Sequence, residues 1–230
     1  MTSRLVLAAV QSNPVLGAIE TNEALARERL DQARGQGADL AVFTELFLSG
    51  YPPEDLALKP AVQRDCKAAI ARLATATARG CAAVVGFIHH GTVRPRPAAA
   101  FLADGEIKAV AFKADLPNYG VFDEKRVFEP GPGQTVFDLK GVKIGLPICE
   151  DIWGPGPCSR LKAQGAEILV VPNGSPFRDT SDDERLTVAR ARVAETGLPM
   201  FYVNQMGGQD ELVFDGSSFA LQADGAFGMR

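Results

Sequence analysis

Uninterrupted apolar runs constrain this chain more than any other feature. "RLVLAAVQ" (4–11), "ADLAVFTE" (38–45), "CAAVVGF" (81–87), "EILVVPN" (167–173) and "LPMFYVN" (198–204) place apolar residues on consecutive positions. Successive side chains of a strand point to opposite faces, so a strand apolar throughout has both faces covered. Segments with helical character separate the runs. "TNEALARERLDQARGQG" (21–37) predicts a helix with Thr21 or Asn22 as N-cap and Gly35 or Gly37 as its stop. A second opens at Pro60, a residue suited to the first helical position, and ends near Gly80. "CSRLKAQGA" (158–166) supplies a short helix, and "SDDERLTVARARVAETG" (181–197) opens with Ser181 and Glu184 in capping-box spacing. Buried strands alternating with helices argue for one α/β domain whose helices cover sheets.

The middle of the chain is richer in strands. "AAAFLADGEIKAVAFK" (98–113) places Asp104-Gly105 between two runs, a hairpin signal. "TVFDLKGVKIGLPIC" (135–149) reads as two strands around Gly141, the second ending at Cys149, and "VFDGSSFALQADGAF" (213–227) contains two further Asp-Gly turns. A chain of 230 residues with 46% hydrophobic and 23% charged residues suits a single domain over residues 1–230 with a full core. Its net charge of −4 gives no nucleic-acid or anionic-membrane surface, and no apolar run is long enough to span a bilayer. The N-terminus enters a strand pattern without a signal-peptide cleavage region, so the expected location is the cytoplasm.

Cys66, Cys81, Cys149 and Cys158 show no CxxC pair and no companion histidines at zinc spacing, so no metal site is expected. His89 and His90 are adjacent, and on a strand they point to opposite faces. Cys66 falls on the apolar side of its helix and Cys81 in a buried strand, where free cysteine behaves as a small hydrophobe. Cys149 is different. It ends an apolar run and is followed by Glu150 and Asp151, whose charges oppose thiolate formation. It is a buried structural cysteine, a metal ligand, or a nucleophile activated by groups elsewhere in the chain.

Activating a thiol without histidine requires another base, and a cation to offset charge developing on the substrate. Glu45 stands where an apolar strand runs out into a Gly/Pro-rich loop, and Lys113 stands at another strand end. Taken singly, each is a loop carboxylate or a solvated lysine. Together with Cys149 they place Glu, Lys and Cys each at a strand terminus, the rigid positions from which loops build sites.

In those contexts the sequence resembles the carbon–nitrogen hydrolase (nitrilase) superfamily and, within it, the N-terminal glutaminase domains of bacterial glutamine-dependent NAD synthetases. The resemblance rests on "ELFLSGYPPEDLALKP" (45–60), "LPNYGVFDEKRVFEPG" (116–131), "ICEDIWGPGP" (148–157), "PNGSPF" (172–177) and "YVNQMGGQDELVFDGSSF" (202–219). It implies a four-layer α-β-β-α sandwich, with Cys149 as nucleophile, Glu45 as general base and then acid, and Lys113 as oxyanion donor beside the N–H following the nucleophile. It implies Glu124 as a further acidic residue beside these three. Tyr119 and Ser175 match positions that hold the α-amino and carboxylate ends of L-glutamine, with Tyr51, Glu150 and Trp153 as pocket walls. Ser181 stands near where relatives carry a lysine of the substrate site, and Arg178 is the cation available to replace it.

The resemblance also implies a partner: an NAD synthetase domain or subunit that receives ammonia and amidates nicotinic acid adenine dinucleotide. That partner would need ATP and Mg; this domain needs no cofactor. Neither an SGGxDS loop nor a GxxxxGK[ST] loop occurs here, and the family's glutaminase domain continues a little past Arg230, so its last elements are expected to be missing. Apolar sheet surface left uncovered in that way predicts a homo-oligomer. The alternatives are a nitrilase-type amidase acting on another small amide, or a catalytically idle interaction module. A papain-like Cys–His mechanism is disfavoured, because no histidine sits in a comparable context.

Overall fold

The computed structural model describes residues 4–133, 135–179 and 181–230, the side chains of 181–183 excepted. A five-stranded sheet runs in the order β1 (Leu7–Ala9), β2 (Leu40–Val42), β3 (Ala82–His89), β4 (Arg96–Ala103), β5 (Glu106–Phe112). Strands β1 to β3 are parallel, and β3 to β5 are antiparallel. The parallel connections need crossovers, which are α1 (Ile19–Gly35) and α2 (Pro60–Ala76). A short α3 (Glu124–Val127) follows β5. The second, six-stranded sheet contains β6 (Thr135–Leu139), β7 (Val142–Leu146), β8 (Ile168–Asn173) and β9 (Met200–Asn204), extended by β12 (Phe219–Leu221) and β13 (Phe227–Met229). Helices α4 (Gly156–Ala163) and α5 (Ser181–Thr196) carry its crossovers, and β10 (Met206–Gln209) with β11 (Leu212–Asp215) forms a separate hairpin.

The uninterrupted apolar runs are explained by three layers of core. Along β3, Ala83, Val85 and Phe87 face α1 and α2, while Ala82 and Val84 face the other sheet. Along β8 and β9, Val170, Phe201 and Val203 face the first sheet, while Leu169, Val171, Met200 and Tyr202 lie under α4 and α5. Each strand therefore buries both faces, and the architecture is an α-β-β-α sandwich. Phe101 of β4 stacks on Phe137 of β6 across the inter-sheet layer, ring centroids 3.8 Å apart.

Several sequence expectations land as read. Asp104 and Gly105 take φ of +53° and +85°, the left-handed pair that a tight hairpin between β4 and β5 requires. Lys140 and Gly141 do the same between β6 and β7, at +53° and +81°. Cys66 and Cys81 are buried as read, and so is Cys158, for which the residue pattern carries no expectation; burial raises their thiol pKa values, Cys66 to about 11 and Cys158 to about 12. No helix among the described residues is long and apolar enough to cross a membrane.

Others need correction. Helix α1 starts at Ile19, so Thr21 and Asn22 lie inside its first turn and neither caps it. Asn22 is drawn into the interior instead, accepting from Val15 N at 2.8 Å and donating to Val15 O at 2.8 Å and Leu48 O at 3.0 Å. It ties two loops to the helix. Strand β2 stops at Val42, before the apolar run ends, because the chain then folds across β3. Phe43 N donates to Val84 O and Leu48 N to Gly86 O. The Ser181 capping box lies outside the described residues. The β10–β11 hairpin, turned at Asp210 with φ +49°, is an element the apolar pattern does not reveal.

Candidate active site

Glu45, Lys113 and Cys149 converge. Glu45 and Lys113 leave the ends of β2 and β5 in the first sheet, whereas Cys149 follows β7 of the second. Lys113 is fully buried, and its Nζ donates to Glu45 Oε1 at 2.6 Å and to Glu124 Oε1 and Oε2 at 2.8 and 2.9 Å. Glu124, on the single turn of α3, also accepts from Tyr51 OH at 2.9 Å. One ammonium is thus clamped between two buried carboxylates.

The chain bends sharply at both reactive ends. Leu46, next to Glu45, has φ +46°, and Cys149 itself has φ +45°. Left-handed backbone is costly for a residue with a Cβ and is retained where the surroundings impose it. After β7 the chain passes through extended Ile148 and folds at once into a 3₁₀ turn, Cys149–Ile152. Glu150 therefore does not point away by strand alternation, as an extended chain would make it. It lies on the turn, accepting from Tyr119 OH at 2.9 and 3.1 Å.

Burial alone would depress the Lys113 pKa, but Glu124 and Glu45 outweigh it and hold the ammonium charged well above its ordinary range. Burial pushes Glu124 up, Lys113 opposes it and Glu45 adds to it, leaving the carboxyl at about 7. The Cys149 thiol is raised well above its ordinary value by burial and by Glu45, with Lys113 working against them. The resting sulfur is a thiol. It becomes a nucleophile only by giving up its proton as it attacks, which requires a base at hand. Glu45 has that capacity: Oε1 is held by Lys113, while buried Oε2 has no hydrogen-bond partner among the described residues.

The remaining sequence candidates distribute unevenly. Tyr51 is fully buried behind Glu124, its ring edge-on to Phe214 at 6.2 Å, so it orients the carboxylate. Ser175 is buried, and its backbone is fixed by Asn204, which accepts from Ser175 N at 2.9 Å and donates to Ser175 O at 3.1 Å. Tyr119 is half-exposed, and the Arg178 charge reaches its hydroxyl. Trp153 packs partly buried against the layer under α4 and α5. Ser181 as a substrate contact lies outside the described residues. The His89 ring packs edge-on to Phe87 and Phe112, and His90 Nδ1 pairs with Gln63 Oε1 at 3.1 Å, so the histidines are engaged elsewhere. Among the described residues no group of His, Cys, Asp and Glu is arranged to hold a metal ion.

Asn204 and Gly86 are site residues that sequence reasoning missed. Asn204 ends a strand run within "YVNQ", where a buried amide was the available signal. Gly86 lies in the middle of β3 beneath Glu45. A Cβ there would stand 2.3 Å from Thr44 O, 2.4 Å from Leu46 N and 2.8 Å from Glu45 C. These are backbone atoms that cannot swing aside. Gly86→Ala is expected to cost roughly 1–3 kcal/mol of stability and to lower turnover more than ~10-fold by displacing Glu45. Thermal unfolding and steady-state kinetics check both effects.

A buried thiol, a carboxylate oxygen with no partner among the described residues and a fixed ammonium come together in an α-β-β-α sandwich, an arrangement that suits a hydrolase acting on amides. The carbon–nitrogen hydrolase family model matches residues 6–227, and the chain belongs to that family. It is 44% identical over 230 residues to the glutamine-dependent NAD(+) synthetase of Rhodobacter capsulatus, covering 100% of this chain and 42% of that protein. The solved glutamine-dependent NAD+ synthetase of Acinetobacter baumannii superposes with a TM-score of 0.93 at 36% identity, covering 98% of this chain and 43% of the other. An amidase from Nesterenkonia sp. superposes with a TM-score of 0.86 at 27% identity, covering 99% and 88%. The chain thus spans about two fifths of the synthetases it matches.

Proposed function

We propose that this chain is a glutaminase domain that hydrolyses the side-chain amide of L-glutamine and supplies ammonia to an NAD synthetase domain or subunit. The observation that carries the chemistry is Glu45 Oε2, which has no partner among the described residues and belongs to a carboxylate whose other oxygen Lys113 anchors. Glu45 takes the Cys149 proton as Sγ attacks the amide carbon. The developing oxyanion faces the Lys113 ammonium and the Glu150 N–H. Glu45 returns the proton to nitrogen, the C–N bond breaks, and ammonia leaves a thioester on Cys149. A water molecule then gives its proton to Glu45 and attacks the thioester; the sulfur departs, takes a proton back, and glutamate is released. Glu124 and Tyr51 hold Lys113 in place throughout.

Glutamine is favoured over other small amides by the charges around the nucleophile. Glu150 with Tyr119 offers a carboxylate and a hydroxyl to an α-ammonium, and Arg178, ion-paired with Glu184 at 3.3 Å, is the cation offered to an α-carboxylate. The two synthetases named above act in glutamine-dependent reactions, which supports the same substrate. An amidase acting on a simpler amide is the second reading, favoured by the likeness to the Nesterenkonia enzyme over most of its length. The mechanism is completed by side chains of this chain; ATP and Mg would belong to the synthetase part. The unpaired cysteines suit a reducing compartment such as the cytoplasm. Met206 and Val213 are exposed on one face of the β10–β11 hairpin, and exposed Phe177 is hydrogen-bonded to its edge through Val213 O; these apolar residues suit the partner or a second copy.

Ammonia release from glutamine is compared with release from propionamide and asparagine, and the protein is treated with a glutamine-analogue electrophile. Glutamine is expected to be preferred at least ~10²-fold in kcat/KM, because buried polar groups are left unpaired by a substrate lacking the amino-acid end. The electrophile should add once, at Cys149. Equal turnover of propionamide selects the amidase reading, and no selective adduct selects an idle module.

A further inference from the structure

Asp151 is fully buried two residues beyond the nucleophile, and the chemistry above does not use it. Its Oδ1 accepts from Ala114 N and Asp115 N, each at 3.0 Å, and its Oδ2 accepts from Ile148 N at 3.0 Å. The first two amides immediately follow Lys113; the third immediately precedes Cys149. One carboxylate therefore grips both backbones that carry the charged partner and the nucleophile. The two backbones emerge from different sheets, β5 from the first and β7 from the second. A buried carboxylate is costly unless its lone pairs are satisfied, and here N–H donors from both sides of the sandwich satisfy them. Its place within the 3₁₀ turn also braces the left-handed backbone at Cys149.

We propose that Asp151 is a positioning residue that sets the separation between the Lys113 ammonium and the Cys149 sulfur by tying together the segments that bear them. This rests on the reading that Lys113 and Cys149 act on one substrate carbonyl. The effect on chemistry is indirect: Asp151 touches neither the sulfur nor the ammonium in the contacts above. When the tie is loosened, the sulfur, the ammonium and the carbonyl no longer share one geometry. A misplacement near 1 Å costs on the order of 10²-fold in rate.

Asp151→Asn tests the proposal. It preserves volume and one acceptor oxygen but turns an N–H₂ donor toward one set of N–H groups, so one tie is lost. Two readouts are taken: kcat and KM with glutamine, and the pH dependence of iodoacetamide alkylation, with adducts assigned to Cys149 by peptide mass. The expected result is a kcat lowered roughly 10–100-fold, with KM within about threefold of the original. The alkylation profile is expected to move upward by ~0.5 pH unit or more, because a displaced ammonium favours the thiolate less. An unmoved profile with unchanged kcat per folded molecule, whatever the melting temperature does, overturns the proposal and leaves Asp151 structural. Should Asp151→Asn not fold, Asp151→Glu keeps charge and acceptors while changing their reach by one methylene, and is read in the same way. A shifted alkylation profile in a protein whose parent does not hydrolyse glutamine would sink the glutaminase reading and leave the positioning role standing.

Discussion

Cys149→Ala is expected to abolish glutamine hydrolysis, by a factor of at least ~10⁴, because Cys149 is the group proposed to form the acyl bond. The protein stays folded. Cys149 belongs to the inter-sheet core, with only 3% of its surface exposed, so the nucleophile also fills space. Losing the sulfur leaves a small void and costs about 1 kcal/mol. Cys66 and Cys81 behave oppositely: they lie in the layer beneath α1 and α2, and replacing either lowers stability while turnover per folded molecule is kept. Ammonia release and thermal melting on the same preparations separate the two classes. A folded Cys66→Ala protein without activity would break this division.

Lys113→Met lowers turnover by on the order of 10²–10⁴-fold, and Glu45→Gln does the same. The reasons differ. Glu45→Gln keeps a group that Lys113 can bond but removes the base proposed to take the thiol proton. Lys113→Met removes the oxyanion donor and also leaves Glu45 and Glu124 facing each other, buried and without their cation. Two such carboxylates cannot both stay ionised, and Glu124, which burial already raises to about 7 and which Lys113 holds down, takes up the proton and no longer anchors the site as a carboxylate. The double variant should therefore fall little below the worse single variant, since the residues act as one unit. Losses that multiply would show that Lys113 and Glu45 work independently. Kinetics of the two single variants and the double variant decide.

Much of the frame was legible in the residue pattern, and for one reason: strands apolar on every position demand covering layers on both faces. The turns at Asp104-Gly105 and around Gly141 were equally readable, because a left-handed backbone pair leaves few residue choices, whereas Asp215 ends β11 and neither it nor Asp224 is left-handed. What escaped depended on contacts between distant segments. Nothing local distinguishes Asn22 as a loop tie from Asn22 as a cap; its partners at Val15 and Leu48 are supplied by the fold. Tyr51 reads as a pocket wall in a Gly/Pro-rich loop, and only the fold shows that the β10–β11 hairpin brings Phe214 edge-on to it and that it is buried behind Glu124. The strand leading to Cys149 was expected to reach the cysteine. It stops at Leu146, because Asp151 reaches back to Ile148 N and curls the chain into a turn. Glu45, Lys113 and Cys149 could be grouped from their strand-end contexts and the resemblance added Glu124; what the fold adds is that both Glu124 oxygens accept from Lys113 while Tyr51 donates to the same carboxylate.

The site straddles the two sheets. Glu45 and Lys113 hang from one and Cys149 from the other, with the layer containing Val84, Phe101, Phe137 and Ile144 between them. Face-packed sheets lie about 10 Å apart, and that gap is whatever the interleaved side chains make it. Under the proposed mechanism the path from the Cys149 thiol to Glu45 bridges that gap, so it is gauged by a slab of hydrocarbon. A wider or narrower residue deep in that slab, even one at the Phe101–Phe137 stack, is expected to shim the sheets and retune the proton transfer. On that reading the thickness of the core is itself a kinetic parameter.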